Sequence, residues 1–171
     1  MNKPVYTIGH GTRKAEDLVA LLKQYGVRYL LDVRSCPYSR FNPQYNKQQL
    51  QSFLQQNEIT YVFMGDTLGG RPDDPSCYDV HGKIDYETLK DKEYFKSGIV
   101  RVKTALEKDL DIALMCSERK PAECHRSRLI GQVLFKDGIE MRHIDDLGGI
   151  KDQATVMSEI KGGTNAPGLF E

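Results

Sequence analysis

Apolar positions along this chain fall into two rhythms, short continuous runs bounded by polar turns and longer stretches that repeat every three to four residues. Pro4 to Ile8 is the first run, and Gly9-His10-Gly11-Thr12 reads as the tight turn that follows it. Leu18, Leu21, Leu22 and Tyr25 then share one helical face, with Gly26 as its stop. Arg28 to Val33 is a second strand. Prolines and polar residues predict a loop from Ser35 to Pro43, and Asn46 is placed to cap a helix running through Leu50, Phe53 and Leu54. Thr60 to Met64 is a third strand.

An irregular stretch from Gly65 to about Tyr86 comes next, long enough to read as a functional loop or a surface insertion. Phe95, Ile99, Val102 and Leu106 predict a helix over Lys92 to Lys108, and Asp111 to Cys116 a fourth strand. A fourth helix, also amphipathic, is expected from Glu123 to Lys136, then a fifth strand over Glu140 to His143. Residues 151–171 read as a tail holding one short helix, with the last ten residues flexible.

Strand alternating with helix five times predicts an α/β fold of three layers, a mostly parallel five-stranded sheet with helices on both faces, built from residues 1–150 as one domain. Such a sheet binds ligands at the carboxyl ends of its strands. His10 follows the first strand, Asp32 and Arg34 close the second, Gly69-Gly70-Arg71 follow the third, Cys116 and Glu118 the fourth, and His143 ends the fifth.

Composition narrows the classes. The 171 residues are 39% hydrophobic, enough for one core without staples, and 24 basic side chains balance 24 acidic ones. That balance gives no overall electrostatic footprint for nucleic acid or an anionic membrane. The start, Met1-Asn2-Lys3-Pro4, does not read as a signal peptide, and no apolar run approaches the roughly 20 residues that cross a bilayer, so a cytoplasmic protein is expected. Cys36, Cys77, Cys116 and Cys124 lack the spacing of a disulfide framework, which leaves reduced thiols; Cys36 and Cys77 read as small buried or neutral surface residues.

The densest chemistry lies between Leu114 and Arg128. Helical periodicity turns Arg126 toward the same side as Leu129, Ile130, Val133 and Leu134, and an inward arginine needs a partner. That partner is either a protein carboxylate, Asp32 being the candidate, or an anionic ligand at the helix N-terminus. Cys116 sits where strand-end nucleophiles sit, with Arg119, Lys120, His125 and Arg126 nearby to favour its thiolate; an inert buried thiol is the plainer alternative. A phosphatase-type cradle is absent, since Pro121 and Ala122 stand where its arginine would fall. Zinc held by Cys116, Cys124, His125 and His10 or His143 is disfavoured by the spacing. Gly9-His10-Gly11 with Asp32 is a partial dinucleotide fingerprint in which Lys14 replaces the third glycine.

Tyr6-Thr7-Ile8-Gly9-His10, Leu31 to Arg40, Leu68-Gly69-Gly70-Arg71, Met115-Cys116-Ser117-Glu118 and Cys124-His125-Arg126, taken in that order, resemble the bacterial and archaeal family called domain of unknown function 488. The resemblance spans about Val5 to Leu147 and departs from the family pattern at Gly11, where serine is expected, and at Leu18, where phenylalanine is common. It implies a cytoplasmic α/β domain whose signature residues line the strand-end crevice, and a loose association with DNA repair.

The expectation is therefore a binder of a small anionic, phosphate-bearing or nucleotide-derived ligand, with Cys116, Glu118 and His10 as candidates for acid, base or nucleophile. Gly9, Gly11, Asp32, Arg34, Gly69, Gly70, Arg71, Cys124, His125 and Arg126 are the candidate ligand contacts, with the Gly9 to Thr12 turn presenting N–H groups. No cofactor is expected. The alternative is a non-catalytic module for nucleic acid or a protein partner, using Tyr38, Arg40, Phe41 and Tyr45.

Overall fold

The computed structural model describes residues 3–164. Five strands run parallel: β1 (Val5–Gly9), β2 (Tyr29–Asp32), β3 (Thr60–Phe63), β4 (Ile112–Cys116) and β5 (Met141–Ile144). A sixth, β6 (Ile150–Asp152), pairs antiparallel with β5, giving the order β3-β2-β4-β1-β5-β6. The sheet is thus six-stranded and mixed, not five-stranded. The added strand comes from a short polar segment, Ile150-Lys151-Asp152, whose side chains are half-buried or exposed, so no apolar run announces it.

Alternation along the strands splits the core in two. On one face α1 (Ala15–Gln24) and α2 (Lys47–Gln56) bury Leu18, Leu22, Leu50 and Leu54 against Ile8, Leu30, Ala113 and Met115. On the other, α5 (Glu93–Glu107) and α6 (Gln132–Lys136) bring Phe95, Ile99, Val102 and Leu134 onto Leu31, Ile112 and Leu114. All five residues of β4 are buried because β4 lies mid-sheet under both layers.

The segment after Met64 is less irregular than its sequence implies. A helical turn α3 (Gly65–Leu68), a 3-10 turn over Pro75–Cys77 and a short α4 (Tyr86–Lys90) occupy it. Asn46 does stand at the N-cap of α2, but its Oδ1 accepts from Ser39 N at 2.7 Å and so pins the preceding loop. The helix expected over Glu123 to Lys136 is three pieces: a 3-10 turn at Pro121–Glu123, a π-helical turn at Arg126–Gly131, and α6. A π turn carries one extra residue per turn and is frequent at functional sites.

Residues 153–164, read from sequence as tail, form α7 (Gln153–Thr164), which buries Val156 and Gln153. The flexibility expected of the last ten residues falls mostly on 165–171, outside the described residues. Among the described residues no helix is long and apolar enough to cross a membrane.

Candidate functional site

The strand order fixes where a ligand can go. From β1 and β2 the chain leaves onto the face of α1 and α2, whereas from β4 it leaves onto the opposite face. β4 lies between β2 and β1, so its carboxyl end is flanked by crevices on both sides, as expected at a reversal of strand order. A cavity of about 560 Å³ opens there, lined by His10, Arg34, Gly70, Arg71, Cys116, Glu118, Cys124 and His125 among others. A second, of about 540 Å³, shares Ser117, Glu118 and Glu123 with it and reaches Gly11, Arg119 and Asp146.

At the end of β2, Asp32 is fully buried and grips Arg34 with both oxygens, Nε to Oδ1 at 2.9 Å and Nη2 to Oδ2 at 2.8 Å. Tyr61 donates to Oδ2 at 2.6 Å, and Arg34 Nη2 also donates to the Tyr45 carbonyl at 2.7 Å. Burial, with the Asp32 hydrogen bond and charge added, pushes the Tyr61 hydroxyl well above the usual phenol range, so it stays a donor. Only Nη1 of Arg34 is left, and it faces His10 Nε2 at 3.3 Å.

His10 lies stacked on Tyr45 with ring centroids 4.3 Å apart, and its Nδ1 donates to the Gly11 carbonyl at 2.9 Å. That fixes Nε2 as the lone-pair nitrogen facing Arg34. Burial lowers its pKa to about 4, with Arg34 acting in the same direction, so the ring is neutral at physiological pH. Two N–H groups of the turn after β1 are already taken and cannot meet a ligand. His10 N and Gly11 N donate to the carbonyls of Cys116 and Ser117, each at 2.9 Å, because the loop after β4 folds directly over β1. Gly9 is required by that closeness: a Cβ there would fall 1.6 Å from the Glu118 carbonyl oxygen.

Arg126 is inward, with no exposed surface, as its helical phase predicts. Its partner is not Asp32, whose oxygens are taken by Arg34 and Tyr61. Arg126 instead donates from Nη1 to Thr7 Oγ1 at 3.0 Å and to Ile144 O at 3.3 Å, and from Nη2 to Arg119 O at 2.9 Å. Among the described residues Arg126 forms no ion pair, and its Nε has no hydrogen-bond partner. A guanidinium is charged at any physiological pH, and the hydrogen bonds that meet this buried charge come from carbonyl and hydroxyl oxygens.

Above it lies Cys116, the register partner of Gly9 and almost wholly buried, with its sulfur 3.6 Å from the Glu118 carbonyl. The Cys116 and Cys124 side chains line the same cavity, and each thiol shifts the ionisation of the other. Burial opposes ionisation of Cys116, but the Cys124 thiol, the Arg126 charge and the Glu118 main chain outweigh it, so Cys116 lies below the ordinary thiol range. Cys124 goes the other way, raised by burial and by its sulfur neighbour.

Cys124 also approaches His125 Nδ1, at 3.5 Å, while His125 Nε2 donates to the Val33 carbonyl at 3.0 Å. Nε2 therefore keeps the proton, and Nδ1 turns a lone pair to the Cys124 thiol. Desolvation lowers the His125 pKa to about 4 against the opposing pull of the Val33 and Leu68 carbonyls. Gly70 backs this ring so closely that a Cβ would lie 2.7 Å from its Cγ.

The remaining candidates divide by depth. Glu118 is exposed and borders both cavities, and Arg71 is exposed on the rim, its main-chain N donating to Ser35 Oγ at 2.8 Å. Gly69 is buried beneath Ser35, while Gly9, Asp32 and Arg126 lie behind the wall, outside the lining. His143 is away from the cavity, between Thr7 Oγ1 and Gln153 Oε1 at 2.6 Å each. Among the described residues no three histidine, cysteine, aspartate or glutamate side chains gather closely enough to hold a metal ion.

Sequence reasoning passed over Ser35, Ser39, Ile84, Tyr86 and Glu123 in the lining, and Tyr61 as a support. A buried Asp32 needs more donors than one arginine supplies, and the tyrosine in the apolar third strand was the available signal.

Fold and site together define a largely parallel α/β domain whose strand-end cavity brings together two thiols, neutral imidazoles and guanidinium groups. A family model described as Domain of unknown function DUF488 matches residues 14–134, well over half of the chain, and the chain belongs to that family. Four of the five motifs lie inside the matched span, and Tyr6 to His10 precedes it. No curated protein and no solved structure matches the chain.

Proposed function

We propose that the protein binds a small anionic molecule, phosphate-bearing or nucleotide-derived, in the cavity at the end of β4, with Cys116 as its reactive group. The observation that carries this reading is Arg34. Asp32 and Tyr45 hold Nε and Nη2 of its guanidinium, and Nη1, with one N–H toward His10 Nε2, is the remaining donor of a side chain that lines the cavity. A guanidinium fixed in advance loses little entropy on meeting an oxyanion. Arg71 stands on the rim without an ion pair among the described residues, and Arg126 adds an unneutralised charge behind the wall. Tyr38 and Tyr86 supply aromatic walls, and the volume lies within the range of small-molecule sites.

Cys116 as nucleophile and Glu118 as the nearby carboxylate suit a hydrolytic or group-transfer step on the bound molecule. The test is thermal unfolding with inorganic phosphate and, separately, a nucleoside monophosphate. Binding raises Tm in proportion to the logarithm of ligand concentration, and Arg71→Ala weakens it about tenfold, the loss of one charge-assisted hydrogen bond. Absence of any shift with both ligands up to tens of millimolar overturns the reading.

A second reading is favoured by the loop between Ser35 and Tyr45, where Tyr38 and Phe41 are 64% and 86% exposed and Arg40 lies 5.7 Å from the Phe41 ring centroid. This rim has the aromatic and basic interleaving that suits a single nucleic-acid strand. Salt-dependent oligonucleotide binding that is lost in Arg40→Glu supports it over a free small ligand.

A further inference from the structure

We propose that Cys116 and Cys124 form a dithiol–disulfide couple, in which Cys116 attacks a low-molecular-weight disulfide admitted by the cavity and Cys124 resolves the adduct. The two sulfurs come from different elements, the last residue of β4 and the residue before the π turn, yet both line one cavity. Cys116 Sγ lies 3.6 Å from the Glu118 carbonyl and Cys124 Sγ 3.5 Å from His125 Nδ1, and Glu118 and His125 line that same cavity, so both sulfurs stand at one opening. Only the seven residues Ser117 to Glu123 separate them, a short loop already turned back by the Pro121–Glu123 3-10 turn.

Their surroundings divide the labour. Cys116 Sγ and Arg126 Nη2 meet the same Glu118 carbonyl oxygen, at 3.6 and 3.5 Å, so Cys116 is the sulfur on which the guanidinium best supports negative charge. Cys124 keeps its proton and faces the His125 Nδ1 lone pair. Attack requires a thiolate, and resolution requires a second thiol that can shed its proton as it attacks. Exposure sets the class of oxidant: Cys116 is 1% and Cys124 4% exposed, so only a molecule small enough to enter the cavity reaches them. Arg34 and Arg71 on the lining favour one carrying carboxylates.

The steps balance. Cys116 thiolate attacks one sulfur of the disulfide R–S–S–R, forming Cys116–S–S–R and expelling one R–S⁻. Cys124 gives its proton to His125 Nδ1, which passes it to the departing thiolate. Cys124 sulfur then attacks Cys116 sulfur, closing the Cys116–Cys124 bond and expelling the second R–S⁻. Two electrons leave the protein thiols and reduce R–S–S–R to two thiols, with protons taken from the protein and from water. An added dithiol reverses the sequence.

The couple does not depend on what else fills the cavity, and its test keeps the two apart. Cys36 is exposed on the same lining, so the experiment uses full-length Cys36→Ser protein. One equivalent of dithiobis(nitrobenzoate), an anionic aromatic disulfide, is expected to release two nitrothiobenzoates per protein. The protein then carries no added mass, and peptide mapping finds Cys116 joined to Cys124. Adding Cys124→Ser gives a single release and a stable adduct on Cys116, while Cys116→Ser reacts about tenfold more slowly. Circular dichroism of each variant establishes that it folds. Neutral dithiodipyridine closes the same disulfide whether or not the cavity binds anions; slowing by phosphate of the anionic reagent alone reports the anion site separately. A retained adduct in the protein with both thiols, or no reaction of the pair with either reagent, overturns the couple.

Discussion

Arg126 donates from Nη1 to Thr7 Oγ1 at 3.0 Å, and this bond begins a buried polar chain across the sheet. Thr7 and His143 are register partners on β1 and β5, so their side chains stand together on one face, with Oγ1 2.6 Å from His143 Nδ1. His143 Nε2 meets Gln153 Oε1 at 2.6 Å, and Gln153 Nε2 donates to Ser127 O at 3.0 Å, back on the π turn that carries Arg126. The chain closes on itself through four elements. Replacing Arg126 with methionine leaves Arg119 O, Ile144 O and the Thr7 hydroxyl short of a donor, at roughly 1–3 kcal/mol for each group left unsatisfied. Relief of a buried unpaired charge offsets part of this, and a net loss of about 3 kcal/mol is expected. Urea unfolding reads it as a lower midpoint with unchanged slope; an unchanged midpoint would show that the chain contributes nothing to stability.

Gln153 is the member of that chain that ties α7 to the sheet. Gln153→Leu removes the acceptor of His143 Nε2 and the donor to Ser127 O, and about 2 kcal/mol of stability should go with them. Hydrogen exchange locates the effect: amides of α7 lose protection first, while those of β4, central in the sheet, keep theirs. Uniform loss of protection in β4 and α7 alike would contradict this arrangement.

Much of this was legible in the sequence, and the rest was hidden for identifiable reasons. The parallel strands announced themselves as apolar runs because both sheet faces are covered, and the inward direction of Arg126 followed from the phase of Leu129 and Ile130. Its partners did not follow. They are main-chain carbonyls and a threonine, groups that sequence patterns do not distinguish. The pairing of Asp32 with Arg34 two residues away was equally invisible, since nothing in the pattern tells an arginine folded back on its own strand from one reaching into the crevice. α7 was read as tail because its single buried polar anchor, Gln153, looks like a solvent-facing residue.

Three histidines make stability depend on acidity. His10, His125 and His143 all have pKa values lowered from 6.5 to about 4, with burial the main cause in each. A base whose folded pKa lies below its unfolded value stabilises fully above the unfolded value, and that stability is lost as pH falls toward the folded one. Between about pH 6 and pH 5 the unfolded chain takes up as many as three protons that the folded chain refuses. The unfolding free energy should then fall with a slope approaching about 4 kcal/mol per pH unit. His143→Asn should reduce that slope by about one third. A flat profile across this interval would mean that the rings are already charged or already exposed in the folded chain.

Asp32→Asn separates the structural part of Arg34 from its place in the cavity. An amide keeps the shape of the carboxylate but offers one oxygen where Arg34 Nε, Arg34 Nη2 and Tyr61 OH use two, and it removes the charge that neutralises the buried guanidinium. Breaking a buried ion pair from one side costs about 3–5 kcal/mol, whereas Tyr61→Phe, which removes one donor, should cost about 1–2 kcal/mol. The two changes diverge in binding. With Asp32 neutral, Arg34 carries an unpaired charge on the cavity wall, and the folded fraction should bind inorganic phosphate more tightly than the unaltered protein; Tyr61→Phe should leave that affinity close to its original value. Phosphate titration of both variants by amide chemical shift, in conditions where each is folded, decides the matter. Weaker binding in Asp32→Asn would show that the rigid placement of Arg34 matters more to the anion than its net charge.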